Sequence, residues 1–157
     1  MLYFAYGANT NMAGMQRRCP DAFAIGAAIL DGHALKFKGV ADVVPAKGGQ
    51  VFGGLWDISA GDEAALDLFE GFPTLYTKRE VVVHHGRRKV RAMIYVMTSR
   101  EFLTTPSDYY RDVLIDGYTD FDLPLMQIHH AIVEAKRAQG VRFRKELPAK
   151  QRRLRLA

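Results

Sequence analysis

The feature that most constrains this chain is its opening. Leu2 to Tyr6 alternates around aromatic residues in the manner of a strand and runs straight into Gly7, Ala8 and Asn9, which are small or turn-forming. A strand running into a tight loop places that loop at the strand's end. Asn9 or Thr10 can then cap a short helix through Met12, Met15 and Gln16 that stops before Pro20. The start of such a helix presents backbone N–H groups without intrahelical partners at the positive end of its dipole, which suits a carboxylate or an oxyanion.

The rest of the sequence alternates strand and helix signals. Between Ala22 and Asp57 it reads as several strands separated by Asp31-Gly32 and by the polar loop Pro45 to Gly49. Val51-Phe52-Gly53-Gly54-Leu55-Trp56 is an apolar strand whose central glycines predict a bulge or the close approach of another backbone. A short helix follows, capped by Ser59 or Asp62, continuing through Leu66 and Phe69 to Glu70 and stopping at Gly71. Lys78 to His85 and Lys89 to Met97 predict two strands joined at Gly86 and Arg87. The last third is helical: one helix begins at Pro106 to Asp108, carries Tyr110 and ends at Gly117. Another begins at Pro124 and ends at Gly140. The pattern predicts an α+β fold, a strongly curved, largely antiparallel sheet with short helices set against it.

Composition narrows the function classes. A chain of 157 residues, 48% hydrophobic and 25% charged, suits one compact domain. With no positively charged leader followed by an apolar run, and no stretch near the roughly 20 apolar residues of a membrane span, a cytoplasmic location and no membrane contact are expected. The single cysteine, Cys19, excludes an intrachain disulfide framework and is read as incidental beside Arg17, Arg18 and Pro20, although a lone thiol can serve as a nucleophile. No Cys-x-x-Cys or His-Glu-x-x-His spacing calls for a metal, and the pairs His84-His85 and His129-His130 lack ligand spacing, so no metal is expected. The formal charge of +5 is segregated: seven basic residues and one acid lie between Val141 and Ala157, leaving 15 basic and 16 acidic residues before them. Residues 1–140 are therefore read as the domain and 141–157 as a basic tail, a solvated end rather than a nucleic-acid reader. Such a tail can still attract polyanions in a salt-dependent way.

Glu70 is the most informative acid, at the C-terminal end of a helix amid Leu66, Leu68, Phe69 and Phe72. An apolar surround and the negative end of a helix dipole both raise a carboxyl pKa, and a group poised between its two forms can take and return a proton. The same position equally suits a carboxylate turned to solvent. Tyr6, Tyr76 and Tyr110 sit where elements begin or end, and each reads as a donor to a polar ligand or as a half-buried core phenol.

Four segments in register resemble one family. Tyr3-Phe4-Ala5-Tyr6-Gly7-Ala8-Asn9 is similar to the Tyr-Gly-Ser-Asn loop of the γ-glutamylcyclotransferases. Val51 to Trp56 resembles the strand before their catalytic helix, and Leu66-Asp67-Leu68-Phe69-Glu70-Gly71 resembles their Leu-Asp-x-x-Glu-Gly signature. Tyr76, and then Tyr110 with Gly117 and Leu123-Pro124, match the tyrosines and the Leu-Pro that follow. The resemblance spans about residues 2–138. It implies a small curved β-barrel with flanking helices and a pocket at its mouth, Glu70 as the general acid/base, and a γ-glutamyl group bound by residues 3–9 with Tyr76 and Tyr110. It further implies release of 5-oxoproline without a cofactor, by a monomer or homodimer. Ala8 departs from the family's usual serine, keeping the backbone N–H and lacking the hydroxyl. The alternatives are a non-catalytic γ-glutamyl-binding or regulatory module on this scaffold, supported by Ala8, and a polyanion-associated protein acting through the tail.

Overall fold

The computed structural model describes residues 1–99 and 102–146, with side chains as far as residue 142. Five strands form a closed barrel in the order β1-β3-β2-β4-β5. They are β1 (Leu2–Ala5), β2 (Phe23–Lys38), β3 (Val40–Asp57), β4 (Tyr76–His85) and β5 (Arg88–Met97). All the pairings are antiparallel except the closure of β1 on β5 at Tyr3 and Met93, which is parallel. The expected mainly antiparallel α+β barrel is what forms.

Within the sheet the detail differs in one place. The stretch expected as several strands is a single long hairpin turning at Gly39, and the expected breakers are absorbed into it. Asp31-Gly32 becomes a register shift between Asp31 and His33, and Pro45 pairs opposite His33 within β3. A bulge accommodates the extra residue without ending the ladder, and it bends the strand toward closure. The two mid-strand glycines do mark close approach. A Cβ at Gly53 would stand 2.3 Å from the Ala5 carbonyl oxygen and 2.6 Å from the Phe4 ring, and one at Gly54 would stand 2.7 Å from the Phe121 ring. β1 can lie against β3 because Gly53 lacks a side chain, and the Phe121 ring packs on the strand because Gly54 does.

Four helices pack on the barrel: α1 (Met12–Arg18), α2 (Ala60–Glu70), α3 (Asp108–Asp120) and α4 (Met126–Glu146). α2 starts with a reciprocal capping box between Ser59 and Asp62 and ends at Gly71, whose φ of 64° and N–H bonds to Asp67 and Leu68 close the last turn. α1 is capped by Asn11, whose side chain accepts from the Gly14 N–H, and not by Asn9 or Thr10. Residues 8–10 form a 3₁₀ turn before the helix, which moves the cap along the chain and leaves the Asn9 side chain for other work. α3 runs past Gly117 to Asp120. That glycine is a packing site, since a Cβ there would stand 2.3 Å from Thr10 Oγ1 and 2.5 Å from the Asn11 nitrogen. α4 likewise passes Gly140 and continues to Glu146, so the first residues of the expected tail are helical; residues 147–157 of it lie outside the described residues.

Phe4, Phe37, Leu55, Leu66, Ile94 and Leu114 are fully enclosed and fill the barrel and its seam with the helices. Gln127 of α4 grips the β3 backbone at Phe52 through both ends of its amide, at 2.8 and 2.9 Å, and donates to the Tyr118 hydroxyl at 2.7 Å. Among the described residues no helix is long and apolar enough to cross a membrane.

Candidate active site

The ends of β1, β5 and α2 and the beginnings of β3, β4 and α3 converge on a cavity of about 230 Å³. Of the residues expected from the sequence, Tyr3, Tyr6, Gly7, Ala8, Asn9, Glu70, Tyr76 and Tyr110 all line it. Phe4 and Ala5 do not; both are buried in the core, the Phe4 ring and the Ala5 carbonyl lying against Gly53. The lining also includes Val40, Ala41, Phe69, Leu75 and Tyr95, which sequence reasoning missed.

Each side chain is held by a traceable partner. Tyr6 donates its hydroxyl proton to the Tyr95 carbonyl at 2.7 Å, while its own carbonyl accepts from Tyr118 at 3.0 Å. Ala41 joins two phenols: its carbonyl accepts from Tyr76 at 2.7 Å and its N–H donates to the Tyr110 oxygen at 3.1 Å. The Ala8 backbone bonds the same Tyr110 hydroxyl, so the position that departs from the family loop contributes through its main chain. Burial raises the Tyr110 pKa to about 12 despite these two amides, and burial likewise raises Tyr3 and Tyr6. Tyr3, Tyr6 and Tyr110 are therefore neutral phenols.

Glu70 is the one titratable carboxyl in the lining, with its pKa raised from 4.5 to about 7 by burial, against the opposing pull of Arg18 and of the Asn9 hydrogen bond. The shielding does not come mainly from the neighbours that the sequence proposes. Leu68 is 86% exposed and lies outside the cavity, and Phe69, which lines it, is 48% exposed. Tyr3, Tyr6, Tyr95 and Tyr110 from other elements enclose the carboxyl instead. Glu70 Oε1 accepts from Asn9 Nδ2 at 2.7 Å; Oε2 has no hydrogen-bond partner among the described residues.

Two polar clusters brace this arrangement. Asp67, one turn before Glu70, accepts from the Tyr95 hydroxyl at 2.6 Å and from Lys78 at 3.0 Å, and Lys78 also reaches Glu63 at 2.7 Å. Asp67 therefore serves to orient a lining phenol. Behind Ala41, Asp42 is buried, paired with Lys38 at 2.7 Å and accepting from the Met97 N–H at 2.9 Å, which pins the start of β3 to the end of β5. Cys19 is buried away from the cavity, its thiol pushed up to about 11 by burial and the nearby Asp62. A protonated, enclosed thiol is a poor nucleophile.

A closed barrel with its pocket at the mouth, reached by a strand-loop segment and by the end of one helix, places this chain among γ-glutamylcyclotransferase-type enzymes. It belongs to the gamma-glutamyl cyclotransferase, AIG2-like family, whose model matches residues 3–112. Gamma-glutamylcyclotransferase of Bos taurus is 30% identical over 138 residues, covering 79% of this chain and 73% of that protein. The Homo sapiens gamma-glutamylcyclotransferase is 28% identical over the same length. A solved gamma-glutamyl cyclotransferase structure superposes with a TM-score of 0.76 at 26% identity, covering 83% of this chain and 85% of its own. The expected family, barrel and enzyme class are borne out.

Proposed function

We propose that this protein cyclises a γ-glutamyl group to 5-oxoproline and releases the attached amine, with Glu70 as general base and then general acid. The observation that carries this reading is a carboxyl whose pKa lies near 7 in a cavity otherwise lined by neutral donors and apolar groups. A group half-ionised at neutral pH is suited to accept a proton and return it in one cycle.

The substrate brings its own nucleophile. Its α-amine can close a five-membered ring on the γ-carbonyl, so the protein's work is folding the substrate and moving protons. Glu70 Oε2 takes a proton from the α-ammonium, and the freed lone pair attacks the γ-carbon. The oxyanion that forms is stabilised by donors at the loop end of the cavity: backbone N–H groups of residues 7–9 and the Tyr110 hydroxyl, whose lone pairs are engaged by Ala41 and Ala8 and whose proton is left to donate. Glu70 then gives that proton to the departing nitrogen as the carbon–nitrogen bond breaks, and the second proton shed by the attacking nitrogen leaves with the released amine as its ammonium.

The leaving group would emerge at the exposed rim. Val40, Phe69 and Leu75 lie there, apolar and without a cation among the lining residues, which favours amines with uncharged apolar substituents. Incubation with a panel of γ-glutamyl amides and amino acids, with 5-oxoproline measured directly, tests both points. Release of 5-oxoproline, fastest from apolar leaving groups, is expected. Binding without release would instead establish a non-catalytic module.

A further inference from the structure

The chemistry above uses Asn9 and Glu70 but not the residue behind them. Arg18, the last residue of α1, donates from Nη1 to Asn9 Oδ1 at 2.7 Å. The other end of the same carboxamide donates to Glu70 Oε1 at 2.7 Å and to the Tyr3 hydroxyl at 3.0 Å. The guanidinium lies 3.5 Å above the ring of Phe69, next to Glu70 on α2. Arg18 thus grips the loop with its donors and the end of α2 with its face, tying together two segments nine and more than fifty residues away in sequence.

We propose that Arg18 is a positioning residue for this site, acting on Glu70 through Asn9 by holding the carboxamide so that its nitrogen, and not its oxygen, meets the carboxyl. The reason is donor chemistry. An arginine has five N–H donors and no acceptor, so whichever end of Asn9 faces Arg18 must be the oxygen, and the NH₂ is then obliged to face Glu70. A donor at Oε1 favours the carboxylate; a carbonyl oxygen there would favour the protonated acid. The planar stacking on Phe69 keeps the guanidinium from swinging to solvent, a constraint that a lysine ammonium does not share.

The groups facing Glu70 from the other elements do not substitute for it. Tyr3 of β1, Tyr6 of the loop, Tyr95 of β5 and Tyr110 of α3 all have pKa values raised by burial and stay neutral, and Tyr76 of β4 donates its hydroxyl proton to the Ala41 carbonyl. On α2 itself, Asp67 and Glu63 are both engaged by Lys78. Arg18 is the cation that acts on Glu70 among the described residues.

This inference rests on the proposed acid/base role for its functional meaning, yet its test does not need turnover. Protein labelled with ¹³C at the glutamate side-chain carboxyl is titrated by NMR, with the Glu70 signal assigned by its loss in Glu70→Gln. In Arg18→Met the Glu70 midpoint is expected to rise by about one unit, in Arg18→Lys by less, and the Met effect is expected to shrink at least twofold in an Asn9→Ala background. A midpoint in folded Arg18→Met within about 0.3 unit of the parent would overturn the proposal. So would a shift of full size in the Asn9→Ala background, which would make Arg18 a through-space charge alone. If Arg18→Met does not fold, Arg18→Gln carries the comparison. Where the parent releases 5-oxoproline, the acid limb of its kcat/KM profile moves with the NMR midpoint. A parent that titrates as described but releases none contradicts the catalytic reading and leaves the positioning role standing.

Discussion

Glu70 has its unusual proton affinity because the phenols of Tyr3, Tyr6, Tyr95 and Tyr110 exclude water from its carboxyl while Arg18 and Asn9 limit the effect. That balance has a thermodynamic consequence. A carboxyl whose folded pKa of about 7 exceeds its unfolded value binds more protons in the native state, so its stabilising contribution is full below about pH 4.5 and is lost as pH rises toward 7. Glu70→Gln removes the titration while keeping the acceptor for Asn9. The variant should therefore match the parent in thermal stability near pH 4.5 and exceed it above pH 7, by up to about 3 kcal/mol. Denaturant titrations of both proteins at pH 4.5 and 7.5 measure this, and a variant less stable than the parent at the higher pH contradicts the burial account. The raised proton affinity of Glu70 was legible in the sequence, but its cause was not. Leu68 and Phe72 are exposed and lie outside the cavity, and Phe69 lines it while half open to solvent, whereas the phenols that line it with Glu70 come from elements that only closure of the barrel brings near. Asp67 shows the same limit: one turn from Glu70, its bond to Tyr95 depends on a strand 28 residues further along.

At the level of elements, the parts read most readily were those whose signals are local. The capping box at Ser59, the stop at Gly71 and the turn at Gly86 depend on residues within a few positions of one another, and α2 and the β4–β5 hairpin follow them closely. The long β2–β3 hairpin was read as several strands because Asp31-Gly32 and Pro45 to Gly49 are turn-forming residues wherever local preference decides. In the barrel, continuous pairing over both strands outweighs that preference. Gly117 misleads in a similar way. It resembles a helix stop and is instead the contact that lets α3 lie on the 3₁₀ turn at residues 8–10, below the cavity loop. Gly117→Ala places a methyl group 2.3 Å from Thr10 Oγ1 and 2.5 Å from a backbone nitrogen, so the loop or the helix must move. A loss of about 1–3 kcal/mol of stability is expected, together with weaker turnover, because the displaced loop carries Asn9. Chemical denaturation alongside the 5-oxoproline assay measures both, and unchanged stability would show that the contact yields freely.

The whole molecule is a frame that brings the ends of six elements to one cavity, with the carboxyl proposed as acid/base on the helix, α2, that follows the long hairpin. Barrel closure supplies the burial, the Asp42 and Gln127 anchors keep β3 in place, and in the proposed reaction the substrate supplies the nucleophile. The central claim is that Glu70 moves the proton, and Glu70→Gln tests it most directly because shape and hydrogen bonding persist while proton exchange does not. With a γ-glutamyl substrate turned over by the parent, the variant should remain folded and bind that substrate. Its kcat for 5-oxoproline release should fall by at least roughly 10² to 10⁴, with KM changing far less. Turnover by Glu70→Gln within about tenfold of the parent would contradict the account.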